Sequence, residues 1–278
     1  MTNWLVNGQR DGVLSPADRG LAYGDGLFET IALRGGRLRF VDYHFDRLVA
    51  GCTRLGIPAP DLSQLTRELE VARQDCRDGT AKIILTRGLG PRGYRPPEIV
   101  EPTRVISVTA TDSSAAQPWS SGIRVRLCTT SLSENPALAG MKTLNRLEQV
   151  IARAEWHTPD IAEGLMMTAA GHVVCGTQSN LFLVRHGTLL TPPVNRCGVS
   201  GVMRRVILEE AGRLGIAVQT PVVTVAALAT ATELFVSNSL QGIGPIVRWN
   251  DESRATGKLT RSLMAALVQR GVQECAGD

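Results

Sequence analysis

The sequence predicts an α+β fold in two domains: a smaller N-terminal α/β domain and a larger, strand-rich C-terminal one. Three observations carry this. Strand-like alternation and helical spacing are mixed along 278 residues without strict β-α alternation, which favours α+β over a doubly wound sheet. A small, polar, proline-containing stretch, TDSSAAQPWSSG at 111–122, reads as a linker. An apolar fraction of 43 % supplies a core for a chain of this length. The expected boundaries are 1–114 for the smaller domain, 115–121 for the linker and 122–278 for the larger domain.

Each element follows from local pattern. NWLVNG reads as a strand closing in a turn, and LFETIALRGGRLRFVDYHFDRL as a hairpin running into a helix, with Asp42 a plausible N-cap. A second helix spans Leu62 to about Ala72, with Leu62, Leu65, Leu69 and Val71 on or near one face. AKIILTRG and TRVISVTA are strands flanking the loop RGLGPRGYRPP. Beyond the linker come the strand IRVRLCTT and a helix over about Leu144–Glu155. A strand-rich stretch follows, with turns at Ala170-Gly171 and His186-Gly187. A helix near Val202–Leu214, a helix at 224–231, a strand-turn-strand in ELFVSNSLQGIGPI and a final helix at 258–270 complete the chain.

Composition narrows the function. A net charge of +4 is modest, and scattered basic residues form no nucleic-acid-binding arm. The six cysteines include no C-x-x-C pair, and no secretory signal precedes them; free thiols in a reducing cytoplasm are expected. The four histidines lack metal-ligand spacing, so no metal site is expected. Apolar runs are too short to span a bilayer.

Of thirty basic residues only Lys82, Lys142 and Lys258 are lysines. Arginine stays protonated at any working pH, whereas lysine can release its proton and act as a nucleophile. Lys142 follows an apolar Ala-Gly-Met and precedes a helical pattern. It reads either as a solvated residue at a helix start, where a cation opposes the dipole, or as a partly buried nucleophile. YGDGLFETI, residues 23–31, is a glycine-flanked turn before a strand. RGLGPRGY, residues 87–94, is either a flexible surface loop or a carboxylate clamp built on paired arginines. GVSGVMRR, residues 198–205, enters a helix through a glycine turn whose N–H groups can hold a phosphate, although many helices begin this way. A lysine nucleophile and a phosphate cradle are jointly required by pyridoxal 5′-phosphate.

The chain resembles the fold-type IV pyridoxal-phosphate enzymes, the group of branched-chain and D-amino-acid aminotransferases, and within it the aminodeoxychorismate lyases. NPALAGMKTLNRLEQV and RGLGPRGY carry the lyase resemblance; YGDGLFET is common to the wider group. The resemblance implies a cytoplasmic homodimer that binds pyridoxal 5′-phosphate. It would convert 4-amino-4-deoxychorismate to p-aminobenzoate and pyruvate for folate biosynthesis, with no nucleic acid or membrane partner. Lys142 would carry the cofactor as a Schiff base and move the proton. Arg47, the turn at Gly201, Val202 and Met203, and Ser239 would bind the cofactor phosphate. Arg92, from the neighbouring subunit, and Asn238 would hold substrate carboxylates, and Thr30 would help protonate the departing three-carbon unit. Cys175 departs from the pattern: in VVCGTQSNLF it stands where the family carries the glutamate that pairs with the pyridine nitrogen. A thiol is a weaker partner. Elimination tolerates this better than transamination, because the leaving group takes the electrons. The alternatives are an aminotransferase acting on branched-chain or D-amino acids, a silenced cofactor-binding relative, and a non-catalytic binding protein.

Overall fold

Alternation in the N-terminal third builds an antiparallel sheet with one face covered by helices. The structure is a computed structural model and describes residues 2–111, 119–249 and 252–276. The chain divides into two units, Met1–Ala115 with Met141–Asn145, and Ala116–Gly140 with Arg146–Asp278. The residues around Lys142 therefore belong to the first unit, although they follow the expected linker in sequence. Residues 115–118 of that linker lie outside the described residues. Trp119–Ser121 form a 3-10 turn, and Trp119 is buried in the core of the second unit.

In the first unit, β1 (Thr2–Val6), a short helix α1 (Arg19–Tyr23), β2 (Gly26–Arg34) and β3 (Arg37–Leu38) come first. Helices α2 (Val41–Leu55) and α3 (Leu62–Arg73) follow, then β4 (Gly79–Thr86) and β5 (Thr103–Ala110). The strands pair antiparallel in the order β1-β5-β4-β2-β3. Leu27, Ile31 and Leu33 of β2 and Ala81, Ile83 and Leu85 of β4 pack against Phe45, Leu48, Leu65 and Leu69 of the helices. Each such large side chain contributes about 1.5–3 kcal/mol on burial. Phe28, Thr30, Lys82 and Ile84 have the opposite parity and are only half-buried.

Two local expectations are corrected, and α1 is an element the sequence pattern did not show. Helix α2 starts at Val41, after Phe40 in the left-handed region, and Asp42 lies in its first turn, not at its cap. The buried face of α3 is Leu65, Glu68, Leu69 and Ala72; Leu62 and Val71 are exposed, because they fall outside that helical stripe. Helix α1 has five residues, too few to show a period; Asp18 caps its start, and Gly24, at φ 65°, ends it.

The second unit holds β6 (Ile123–Leu132), α4 (Leu147–Arg153), β7 (Ile161–Thr168), β8 (Val173–Gly176), β9 (Asn180–Arg185) and β10 (Thr188–Leu190). These are followed by α5 (Val202–Arg213), β11 (Val218–Gln219), α6 (Val225–Thr230), β12 (Glu233–Asn238), β13 (Gly242–Trp249), β14 (Glu252–Ser253) and α7 (Lys258–Gln269). The strand order is β11-β10-β9-β12-β13-β6-β7-β8, with β14 on β13, and β8 pairs back onto β9. Six strands thus close on themselves around Leu165, Leu181, Leu183, Val236 and Ile246. β6 runs parallel to β13 and β7, and the other pairings along this ring are antiparallel. The fold is α+β, with helices and a mixed, strand-rich sheet. Among the described residues no helix is long and apolar enough to cross a membrane.

Candidate active site

Lys142 is placed by backbone pairing with β2. Lys142 accepts a hydrogen bond from Phe28 N (2.9 Å), and Leu144 N donates to Gly26 O (3.0 Å). Asn145 Nδ2 donates to Gly24 O (3.1 Å). Met141 and Thr143 are buried and Lys142 half-buried, the alternation of an extended segment. The expectation of a lysine at a helix start is corrected: α4 begins at Leu147, so its dipole does not act on the amine through the first turn. Lys142 Nζ lies 4.2 Å from the centroid of the Phe28 ring, a cation–π geometry that holds the amine over one face. Thr30 shares that half-buried parity two residues further along β2.

The other parity of β2 carries Glu29, which is 1 % exposed among leucines and isoleucines. Arg47 Nε and Nη2 donate to its two oxygens at 2.8 and 2.5 Å, and His44 Nδ1 donates to Oε2 at 2.6 Å. Burial opposes the Glu29 charge, yet the hydrogen bonds from His44 and Arg47 hold its carboxyl below the ordinary carboxylate value. Burial pushes His44 below the usual imidazole value against the pull of Glu29, and the charges of Arg47 and Lys142 push the same way. His44 is therefore neutral, and its Nε2 is a buried acceptor without a partner among the described residues.

The glycine-flanked turn and the arginine loop are joined by a second cluster. Arg87 donates to Asp25 at 2.8 and 3.0 Å and to the carbonyls of Leu55 and Gly56. Arg19 donates to Asp25 (2.9 Å), Gly93 O (2.9 Å) and Tyr94 O (3.0 Å). Burial works against Asp25, but hydrogen bonds from Arg87 and Arg19 hold its carboxyl below the ordinary value. The paired-arginine clamp is thereby corrected. Arg87 is buried and committed to the fold, and Arg92 alone of that pair is exposed.

In the second unit, Cys175, Asn180 and Ser237 stand directly opposite one another across β8, β9 and β12. Asn180 Nδ2 donates to Val199 O (2.8 Å), tying this row to the turn before α5. Gly201 precedes α5, and no side chain caps the helix, so the first-turn N–H groups at Val202 and Met203 lack a side-chain acceptor. A Cβ on Gly201 would run into the Asn180 amide oxygen. At the end of β12, Asn238 Oδ1 accepts from Leu240 N (3.0 Å) and Gln241 N (2.9 Å), which shapes the turn carrying Ser239 and leaves the Asn238 NH2 without a partner among the described residues. Burial is the main cause that pushes the Cys175 thiol up to about 12, with the nearby Cys197 and Glu163 adding to it and Arg146 opposing. The thiol is neutral and unreactive at ordinary pH. Glu163 does not substitute for a carboxylate at this position, because it binds Thr177 Oγ1 (2.6 Å), Ser179 Oγ (2.8 Å) and the backbone N–H groups of Gly164 and Thr177.

The structure brings Lys142 beside Phe28 on the parity of Thr30, and ties Arg47 to Glu29 and His44. It groups Cys175 with the Gly201–Met203 turn through Asn180, and sets Asn238 and Ser239 at the end of the neighbouring strand. Sequence reasoning did not identify Glu29, His44, Arg19, Asn180 or Ser237. A glutamate at a core parity of β2 was the one available signal.

Residues 26–249 match the family model described as amino-transferase class IV. The chain is 35 % identical over 266 residues to aminodeoxychorismate lyase of Vibrio harveyi, covering 94 % of this chain and 98 % of that protein. It is 30 % identical over 266 residues to a putative branched-chain-amino-acid aminotransferase of Methanocaldococcus jannaschii, covering 92 % and 90 %. The crystal structure of 4-amino-4-deoxychorismate lyase from Pseudomonas aeruginosa superposes with a TM-score of 0.90 at 46 % identity, covering 96 % of this chain and 98 % of that one. With the match running through both units, the chain belongs to the class IV amino-transferase family.

Proposed function

We propose that this chain is a pyridoxal-phosphate-dependent lyase converting 4-amino-4-deoxychorismate to p-aminobenzoate and pyruvate. The observation that carries the reading is a lysine amine fixed over Phe28, which shares its parity of β2 with Thr30, in a chain close in sequence and fold to lyases of that name. The residues fit the cofactor. Lys142 supplies the amine. The uncapped start of α5, which only glycine at 201 permits, supplies N–H donors of the kind that hold a phosphate. Arg47 and Ser239 would add to the phosphate site, and Cys175 would stand as a neutral thiol at the ring-nitrogen position. When bound, the cofactor supplies an electron-withdrawing imine that acidifies the adjacent C–H.

The chain's own residues do the rest. Arg92 and the NH2 of Asn238 hold substrate carboxylates, orienting the scissile C–H toward Lys142. The Lys142 amine takes the proton from the amine-bearing ring carbon. The C–H pair becomes ring π density, and the C–O pair leaves with the three-carbon unit as its enolate as the ring becomes aromatic. Lys142 with Thr30 returns the proton to the methylene carbon of the enolate, giving pyruvate. Elimination needs no carboxylate at 175, since the departing oxygen carries the electrons away.

The enzyme acts in the cytoplasm, in folate biosynthesis, as a homodimer. Leu147, Val150 and Ile151 form an exposed apolar stripe on α4 that supports self-association. Sedimentation showing a monomer at micromolar concentration would remove the dimer. The function is tested by the absorbance of protein loaded with pyridoxal phosphate, followed by enzymatically generated substrate. A band near the visible edge, with p-aminobenzoate and pyruvate released together, is expected. A band with no product, and conversion of the cofactor to its amine form by a branched-chain or D-amino acid, would favour the aminotransferase instead.

A further inference from the structure

We propose that Arg19 is a positioning residue for Arg92: it fixes the backbone of the loop that presents Arg92 to a substrate carboxylate. This rests on the lyase reading above. Arg92 is exposed, in RGLGPRGY, and the three glycines of that stretch leave its backbone many conformations unless it is tied. It is tied to α1. Arg19 N donates to Gly88 O (2.9 Å), and Asp18 pairs with Leu89 as an isolated antiparallel bridge. The Arg19 guanidinium then grips the loop beyond Arg92, with Nη1 donating to Gly93 O (2.9 Å) and Nη2 to Tyr94 O (3.0 Å). Gly93 N donates to Tyr23 Oη (3.1 Å), and the Tyr23 and Tyr94 rings meet edge to face at 5.4 Å. Both the N–H and the carbonyl of the residue directly after Arg92 are thus held by side chains of α1.

The guanidinium is a rigid reference point. Arg19 is 4 % exposed, its Nε donates to Asp25 Oδ2 (2.9 Å), and its Cζ lies 5.0 Å from the centroid of the Tyr23 ring. A Cβ on Gly90 would come within 2.6 Å of Arg19 Cδ, so the loop closes directly onto the arginine stem. Asp25 is held in turn by Arg87 and immediately precedes β2, whose Phe28 ring carries the Lys142 amine. The contacts therefore run from the backbone beside Arg92, through Arg19 and Asp25, to the strand that places the amine. A lysine at 19 could pair with Asp25. Only a planar fork, with donors in fixed directions, can hold that carboxylate and two successive carbonyls at once. The fork matters to function because a shift of about 1 Å in a group that orients substrate can cost about a hundredfold in rate.

Kinetics of paired variants separate positioning from plain stability. In cofactor-loaded protein, Arg19→Met should raise KM for enzymatically generated 4-amino-4-deoxychorismate about ten- to a hundredfold. It should lower kcat less than it raises KM and leave the cofactor band unchanged. Arg19→Lys should recover the melting temperature, through its pair with Asp25, and still leave KM raised. In an Arg92→Ala background, Arg19→Met should change kcat/KM little further, because the two residues act as one unit. Tyr23→Phe, which removes the acceptor for Gly93 N, should give the same pattern at smaller amplitude, and it replaces Arg19→Met if that variant does not fold. Tryptic cleavage after Arg92, read by mass spectrometry, follows the loop without any assay of activity, and should be faster in Arg19→Met and Tyr23→Phe than in wild type. Additive losses in the double variant, full recovery of KM in Arg19→Lys, or unchanged cleavage after Arg92 overturns the assignment. A wild type that makes no p-aminobenzoate, while cleavage after Arg92 still speeds up in the variants, overturns the lyase reading and supports the clamp.

Discussion

The Lys142 side of the first unit and the helix-start cradle of the second handle charge in opposite ways. Around β2, formal charges are buried and cross-linked: Glu29 binds both Arg47 and His44, and Asp25 binds both Arg19 and Arg87. In the row before α5 the groups are neutral: uncapped amides, the Asn180 and Asn238 side chains, the Ser237 hydroxyl, and a thiol whose pKa burial drives up to about 12, with Glu163 and Arg146 as the charges near it. A region that must move a proton at one amine benefits from fixed counter-charges that define its protonation state. On the proposed function the second region holds an anionic group, which backbone dipoles can do without a counter-ion. Removing a charge should therefore damage the first region more than any neutral substitution damages the second.

The largest effect is expected at Lys142. Lys142→Ala should lower turnover by at least about a thousandfold and abolish the band near the visible edge. Turnover within tenfold of wild type would break the comparison at its centre. Glu29→Gln comes next. It leaves Arg47 without its buried counter-charge and should cost about 3–5 kcal/mol in equilibrium denaturation; a loss under about 1 kcal/mol would show that the network is not holding the charges.

Gly201→Ala sharpens the other side. Its Cβ meets the Asn180 amide oxygen, so affinity for pyridoxal phosphate should fall about tenfold or more, with a smaller stability loss of about 1–3 kcal/mol. Unchanged affinity in a titration would remove the turn from the cofactor site. The mildest test is pH. His44 has a depressed pKa when folded, so its share of stability is present above the ordinary value of 6.5 and is lost as pH falls through the folded value. Glu29 and Asp25 are depressed from 4.5 and 3.8, and their shares are lost only in more acid solution. Denaturation midpoints should decline in two stages on acidification, and His44→Gln should flatten the first. A first stage of equal slope in that variant would acquit His44.

Much was legible in one dimension. The period-2 alternation of β2 and β4 pointed to the sheet, and the glycine turn at 201 to the start of α5. What was illegible has a common cause. Arg87 read as a clamp for ligand because nothing in RGLGPRGY shows that Asp25, 62 residues earlier, claims it. Glu29 and His44 stand in separate elements, and each alone resembles a surface residue until the sheet and α2 bury both. Lys142 read as a helix-start residue because the LNRLEQV pattern follows it. Its extended backbone is imposed by β2, a pairing between distant segments.

The sequence by itself determined the fold class, the core parity of β2 and β4, the glycine turn before α5, and the choice of lysine where arginine is otherwise used. Only the tertiary structure decided how the charges are paired. It assigned Arg19 and Arg87 to Asp25 and Arg47 to Glu29, and set Lys82 and Lys142 against one phenyl ring. The physical reason is range. Local propensity and periodicity act within a few residues of chain, whereas the pairing, burial and protonation of a charge depend on whatever long-range packing brings within a few ångströms of it.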